Sequence, residues 1–257
     1  MRALAAALVA TCLAACGGGG GSSASPATTA SAPVTRTISV ASSYTGVAYP
    51  VTIYTPAGYA TSTDSKPVIY AMDHELQFDV IRGYVETYGI DAVVVSIGNL
   101  GGDRRFIDFD LPGAEPYFRF LTLELVPLVE AQYRIDRSRR TLMGYSLSGL
   151  AAVIAIFEEN PASRYFSGYV ITDPSLQFHT TELYAFEQRL WDTTHSLPIT
   201  VKHCSTSGGS PYADFPAQIL SRGYTGLHYN FQVYTLSHAA VLAPCINDGL
   251  HYVFGLG

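Results

Sequence analysis

Residues 139–159, RRTLMGYSLSGLAAVIAIFEE, change from a strand-like to a helix-like sequence at one serine. A turn this tight leaves room only for small residues two places before and two places after the central serine. Gly144 meets that need fully, and Ser148 meets it less well because it carries a Cβ. A strand, a sharp turn and a helix around a serine are typical of a nucleophile elbow. We therefore predict that Ser146 is a catalytic nucleophile and that the backbone N–H of Leu147, at the helix start, donates to an oxyanion.

The rest of the chain alternates strand-like and helix-like segments. Several strand-like segments are apolar without a period of two, which is typical of a sheet covered by helices on both faces. Residues 36–60 contain no helical segment and predict an antiparallel hairpin. The pattern predicts one α/β domain with a mainly parallel sheet. Seven segments are strand-like: YPVTIYTP, KPVIYAM, DAVVVSIG, RRTLMGY, SGYVITD, LPITVKHC and YNFQVYTL.

The composition excludes some classes of partner and cofactor. The 257 residues include 15 Lys and Arg against 21 Asp and Glu, without a basic run, so nothing indicates a nucleic-acid partner. The spacing of the Cys and His residues suggests no metal site. We therefore expect a chemistry that needs no metal or cofactor.

The N-terminus reads as an export signal. Residues 1–15 carry one Arg and a short apolar stretch, and LAAC before the glycines resembles the lipobox of bacterial lipoproteins. We predict a signal peptide over 1–15, a lipidated Cys16 at the head of a flexible tether over 16–35, and a catalytic domain over 36–257. The alternative is an ordinary small-residue cleavage site. The lipoprotein prediction places the protein in the cell envelope, held to a membrane by its lipid and facing the periplasm or the exterior.

Two cysteines remain for the folded domain. In an oxidising compartment we predict a disulfide between Cys204 and Cys245, with two buried free thiols as the alternative.

A serine nucleophile needs a base, and the chain has seven histidines. His238 lies just past the last predicted strand, on a loop before the terminal helix, which is the expected place of the general base. His203 and His228 fall inside predicted strands and His251 on the last helix, so we expect structural roles for these three.

From about residue 66 to its end, the chain resembles the esterase family of α/β hydrolases that includes esterase D, enterochelin-type siderophore esterases and mycolyltransferases. The resemblance implies the α/β-hydrolase fold, and Ser146 and His238 match the family's elbow serine and its histidine. The stretches that carry it are KPVIYAMDHELQFD, VVVSIGNLGGDRRFIDFDLP, FLTLELVPLVEAQYRIDRSRRTLMGYSLSGLAA, YVITDPSLQF and LSHAAVLAPCINDGLHYVFG.

The sequence departs from this family at two functional positions. Where the family commonly has Asp-Gly, this chain has Asp73-His74; we assign the second oxyanion donor to the N–H of His74, the alternative being a histidine that packs or caps. The family's acid follows the strand that corresponds to LPITVKHC here, and this chain has no carboxylate after that segment before Asp214. We favour Asp173, at the end of the strand-like segment SGYVITD, as the acid. Asp214 and a Ser–His dyad without an acid are the alternatives.

Three charged residues follow the strand-like segment DAVVVSIG, near the expected substrate entrance. Arg104, Arg105 and Asp108 could contact a substrate, since a guanidinium can bind a carboxylate at two points. We favour solvated loop charges.

The predicted chemistry is acyl transfer from a small-molecule or acyl ester. His238 would take the proton of Ser146, the serine would attack the ester carbonyl, and water would resolve the acyl-enzyme. The alternatives are transfer to an alcohol, as in the mycolyltransferases, and a surface-tethered binding protein that has lost the chemistry.

Overall fold

Eight strands form a single sheet in the computed structural model, which describes residues 30–256. The strand order is β1-β2-β4-β3-β5-β6-β7-β8. The strands are β1 (Val34–Ala41), β2 (Ala48–Thr55), β3 (Lys66–Ala71), β4 (Val93–Ile97), β5 (Ile135–Tyr145), β6 (Gly168–Thr172), β7 (Thr200–Ser205) and β8 (His228–Val233).

Eight α-helices connect and cover these strands. They are α1 (His74–Thr87), α2 (Gly102–Phe109), α3 (Ala114–Arg119), α4 (Val126–Gln132), α5 (Leu147–Glu158), α6 (Thr180–Thr193), α7 (Asp214–Arg222) and α8 (Leu242–Phe254). A π-helical segment, Phe120–Leu125, joins α3 to α4, and a 3-10 turn, Leu176–Phe178, precedes α6.

The pairing confirms the fold predicted from the sequence. β1 pairs with β2, and β2 with β4, in antiparallel fashion. The pairs β3/β4, β3/β5, β5/β6, β6/β7 and β7/β8 are parallel. This is a mainly parallel α/β-hydrolase sheet that opens with an antiparallel hairpin. All residues of β4 and β6 are buried, as expected for strands with helices on both faces.

Two apolar cores lie on opposite faces of the sheet. One contains α3, α5 and α6, and 11 residues of α5 are buried. The other is formed by α1 and α8. The carboxyl ends of the parallel strands meet at one edge between these layers, which is where α/β proteins place their sites.

The predicted domain boundary differs slightly from the observed one. β1 begins at Val34, two residues inside the predicted tether over 16–35, because Val34 pairs with Thr55 in the hairpin. The predicted signal peptide and Cys16 lie outside the described residues. Across residues 30–256, every helix is too short or too polar to cross a membrane.

The predicted disulfide between Cys204 and Cys245 is present. It joins β7 to α8, and both cysteines are fully buried. The carbonyl of Cys204 accepts the backbone N–H of Asp173 at 2.7 Å. One cysteine of the bridge is therefore hydrogen-bonded to the first residue after β6.

We predict that Gly249→Ala destabilises the protein although alanine favours helices. A Cβ at this α8 position would lie 2.4 Å from Val170 Cγ1 of β6, and a valine side chain has little rotamer freedom with which to yield. The overpacking should lower the free energy of unfolding by about 1–3 kcal/mol in urea titrations.

The matched control is Gly83→Ala in α1, where a Cβ meets nothing within 4 Å. This variant should gain about 0.5–1 kcal/mol from the better helix propensity of alanine. Equal shifts in the two variants would contradict the close packing of α8 on β6.

Candidate active site

Ser146 lies at the sharp turn between β5 and α5. Its backbone has φ 59° and ψ −116°, in the positive-φ region that few non-glycine residues adopt. A Cβ on Gly144 would lie 2.2 Å from the carbonyl oxygen of Ser148, and one on Gly149 would lie 3.1 Å from the Cα of Pro174. The helix thus begins so close to the strand that glycine is required at 144.

Ser148 stands where the common elbow pattern has glycine, and it stabilises the turn. Its hydroxyl donates to the carbonyl of Tyr145 and accepts the N–H of Tyr145, both at 2.9 Å. The side chain is fully buried, so these bonds are shielded from water.

Leu147 is the first residue of α5, so its N–H has no partner within the helix. The side chain of Ser146 does not cap the helix either. The first N–H groups of α5 therefore remain available to an anionic oxygen beside the serine.

Asp173 follows β6 and holds the imidazole of His238. The Nδ1 of His238 lies 2.6 Å from Oδ2 of Asp173. The backbone N–H and the hydroxyl of Thr206 also donate to this carboxylate, at 2.7 and 2.9 Å. Asp173 is 6% exposed, so a buried carboxylate with several donors orients the ring.

Tyr145 packs against the face of the same imidazole. Its ring stacks on the imidazole of His238 with centroids 4.8 Å apart and an interplanar angle of 24°. Its hydroxyl donates to the carbonyl of His238 at 3.0 Å. Burial, and next the charge of Asp173, raise the pKa of Tyr145, so the phenol stays a proton donor at neutral pH.

Ser146 and His238 line one cavity of about 460 Å³. The structure contains no hydrogen bond between these two described residues; the hydroxyl of Ser146 lies 3.5 Å from that of Ser175. The side chain of His238 is 51% exposed. Nucleophile–base contacts of this kind are often long without substrate and shorten when it binds.

The other residues weighed from the sequence lie elsewhere. Asp214 begins α7, as its type predicts for a helix start, and forms no hydrogen bond with His238. His203 is buried against the hydroxyl of Tyr229, and burial lowers its pKa to about 3, so it remains neutral. His228 is exposed on the edge strand β8.

Residues 42–208 match the sequence profile of the family described as "Putative esterase". The chain belongs to this esterase family.

One relative of the protein is also named an esterase. The chain is 28% identical over 188 residues to the ferri-bacillibactin esterase BesA of Bacillus subtilis (strain 168). The match covers 61% of this chain and 60% of that relative, so the chain spans less than two thirds of the relative's length.

Two solved structures show the same fold. The BES protein from Bacillus cereus has a TM-score of 0.74 at 23% identity, covering 85% of this chain and 95% of its own. An IroE-like serine hydrolase from Shewanella oneidensis has a TM-score of 0.75 at 21% identity, covering 86% of this chain and 80% of its own.

His74 stands where the esterase family commonly has the glycine of Asp-Gly. It begins α1, and its ring stacks on Phe78 with centroids 4.7 Å apart. The side chain of His74 is not among those that line the cavity around Ser146. The assignment of a second oxyanion donor to its backbone N–H stays a prediction.

The expectation that Arg104, Arg105 and Asp108 are solvated loop charges is wrong. All three lie on α2 and belong to ion pairs in which the carboxylate is buried. Arg104 pairs with Asp108, which is 1% exposed, and Arg105 pairs with Asp73, which is fully buried. The sequence could not reveal the pair between Arg105 and Asp73, because only the tertiary structure brings Asp73 next to α2.

Several side chains around the cavity were not predicted. The residues that line it come from segments without a recognisable pattern, whereas Tyr145, which stacks on His238, could have been noticed from its position between Gly144 and Ser146. They are Phe106 of α2, Ser175, Gln177 and Phe178 after β6, and Ser207 and Tyr212 after β7.

We predict that Asp173→Asn lowers kcat about 10²- to 10⁴-fold, because an amide no longer fixes the imidazole tautomer or stabilises its cation. Asparagine tolerates the positive φ of 42° at this position, so the backbone should persist. Steady-state kinetics on an activated ester would measure the loss.

Asp214→Asn is the matched control and should keep kcat within about twofold, as a surface change remote from the base does. A larger loss in Asp214→Asn than in Asp173→Asn would refute the assignment of the acid.

Proposed function

We propose that this protein is a serine carboxylic ester hydrolase that works through an acyl-enzyme on Ser146. The observation that carries the proposal is the hydrogen bond between Asp173 and His238 at the cavity that contains the elbow serine. A serine, an acid and a histidine that follow one another in this order along an α/β-hydrolase chain form the arrangement used for acyl transfer.

His238 acts as the general base. Its Nδ1–H donates to Asp173, which leaves Nε2 free to accept the proton of the Ser146 hydroxyl. The serine oxygen bonds to the ester carbonyl carbon, and the carbonyl π electrons move onto oxygen. When the intermediate collapses, the bond to the alkoxy group breaks and His238 returns the proton to the leaving alcohol.

The N–H of Leu147 binds the negative oxygen of this intermediate, and we assign the second donor to the N–H of His74. Each such donor contributes on the order of 3–4 kcal/mol to the stabilisation of the transition state. Water, deprotonated by His238, then attacks the acyl carbon; the bond to the Ser146 oxygen breaks, His238 returns the proton to that oxygen, and the acid is released. The half-exposed imidazole gives solvent access for this step.

Asp173 also argues against the alternative of an inactive binding protein. That alternative relied on the displacement of the acid from the family's usual place after β7 and on the missing Asp-Gly. The contact between Asp173 and His238 supplies an acid from the neighbouring strand end.

We propose siderophore-type esters as the substrate class. The related Bacillus subtilis protein is named for the hydrolysis of such an ester. The cavity mouth carries Phe106 and Phe178, each more than half exposed, and Tyr212 on the wall. Aromatic rings at a solvent-open mouth suit planar acyl groups that are too large to enter completely.

We propose that the protein acts in the cell envelope, as a lipoprotein acylated on Cys16. The lipobox-like LAAC supports this location, and so does the disulfide, since such bonds persist in oxidising compartments. Metabolic labelling with an alkyne fatty acid should mark the full chain, and Cys16→Ser should abolish the label.

A fluorophosphonate probe tests the nucleophile. The intact protein should be labelled on one serine, and Ser146→Ala should lose the label because the attacking oxygen is gone. His238→Ala should slow labelling about 10²- to 10⁴-fold, the usual contribution of a general base. Mass spectrometry of the labelled peptide identifies the site.

His228→Ala is the control, since His228 is an exposed histidine on β8. It should be labelled at the rate of the intact protein. Labelling that persists in Ser146→Ala, or a folded protein that the probe does not label, would refute the esterase proposal.

A further inference from the structure

The side chain of Arg105 spans two neighbouring strand ends. β3 and β5 are parallel with Ala71 beside Met143, so Asp73 and Tyr145 hold equivalent positions two residues further on. The Nε and Nη2 of Arg105 donate to the two carboxylate oxygens of Asp73 at 2.9 and 2.8 Å. The same Nη2 lies 3.3 Å from the carbonyl oxygen of Tyr145, to which it also donates. One guanidinium thus ties the β3–α1 turn to the nucleophile elbow.

These two turns share an unusual construction. Asp73 precedes α1 and Ser146 precedes α5, with φ of 58° and 59°. Aspartate and serine at such positions ordinarily cap the helix with their side chains, but neither does so here. The carboxylate of Asp73 is instead held by Arg105 and by the amide of Asn99 at 2.8 Å.

Backbone donors are free at both helix starts. The carbonyl of Asp73 accepts the N–H groups of Leu76 and Gln77, while His74 and Glu75 precede any intrahelical bond. Leu147 is in the same position at the start of α5. The donors assigned to the oxyanion therefore belong to two turns that Arg105 connects.

We propose that Arg105 is a positioning residue for the oxyanion hole, an inference that rests on the proposed function. By gripping Asp73 and Tyr145 together, it sets the separation of the two turns and keeps the carboxylate away from the N–H groups of α1. Oxyanion donors work only at about 2.7–3.1 Å from the developing charge. A small shift of one turn therefore weakens the binding of the transition state more than it weakens the binding of the substrate.

The geometry requires arginine. The planar fork of the guanidinium meets both carboxylate oxygens and still has a proton for the Tyr145 carbonyl. The ammonium of lysine is a point charge that can neutralise Asp73 but does not reproduce these directions. Arg105→Lys therefore separates the charge of the side chain from its positioning.

Arg104 provides a matched comparison on the same helix. It also pairs with a buried carboxylate, that of Asp108, and donates to the hydroxyl of Tyr49. It neither lines the cavity nor contacts the elbow. Arg104→Lys thus removes a guanidinium from a pair with a buried carboxylate without touching the oxyanion turns.

The experiment compares Arg105→Lys with Arg104→Lys in the full chain. Arg105→Lys should lower kcat about 10- to 100-fold with KM within about threefold, because the loss concerns an interaction made in the transition state. Arg104→Lys should keep kcat within about twofold, and its thermal midpoint should fall by about as much as that of Arg105→Lys. Equal kcat values for the two variants would overturn the proposal.

Inhibitor affinity distinguishes a role in positioning the oxyanion hole from a role in stability alone. A trifluoromethyl ketone adds to the serine and places its oxyanion in the hole, so its Ki should rise in Arg105→Lys by the same factor as kcat/KM falls. The corresponding secondary alcohol forms no adduct, and its Ki should stay unchanged. A loss of kcat/KM without a change in the ketone Ki would overturn the proposal.

A second variant guards against an unpaired buried charge. Arg105→Met with Asp73→Asn removes both charges and should show the same loss as Arg105→Lys. Activity at the level of the intact protein in this folded double variant would overturn the proposal. If fluorophosphonate labels the intact protein and Arg105→Lys behaves like Arg104→Lys, only the positioning role falls; if the folded intact protein is not labelled, both proposals fall.

Discussion

The approach of β5 to the first turn of α5 at Gly144 is so close that no Cβ fits between them. This constraint puts Ser146 into a backbone conformation that serine seldom adopts, and such conformations persist only when the surroundings determine them. Here the hydroxyl of Ser148 and the guanidinium of Arg105 both hold the carbonyl of Tyr145. This one turn fixes the orientation of the Ser146 hydroxyl and of the free N–H groups of α5.

The acid and the base depend on contacts made far apart in the chain. Asp173 is fixed through its N–H to Cys204, and through its carboxylate to Thr206, both at the end of β7. His238 is held by a hydrogen bond to Asp173 and by the ring of Tyr145, which stacks on the face of its imidazole. Residues at three adjacent strand ends, those of β5, β6 and β7, therefore orient one imidazole together.

Local sequence predicted what local sterics decide. The glycine at 144, the serine and the apolar helix that follows are adjacent in the chain, so the elbow could be read directly. The acid was harder to predict, because Asp173 and Asp214 both follow strands and only the paths of the loops distinguish them. The pairing of Arg105 with Asp73 was missed because it joins residues 32 apart, and no periodicity records which acid a helix side chain meets.

The half-exposed side chain of His238 has a consequence for the size of the molecules that the cavity can process. Because the imidazole edge meets solvent directly, only the scissile ester must enter, and the bulk of a large macrocycle or chelate can remain outside. Departing fragments then diffuse away without waiting for a segment of the protein to open. Turnover on such bulky compounds would be governed by the bond-breaking steps rather than by escape from an enclosed chamber.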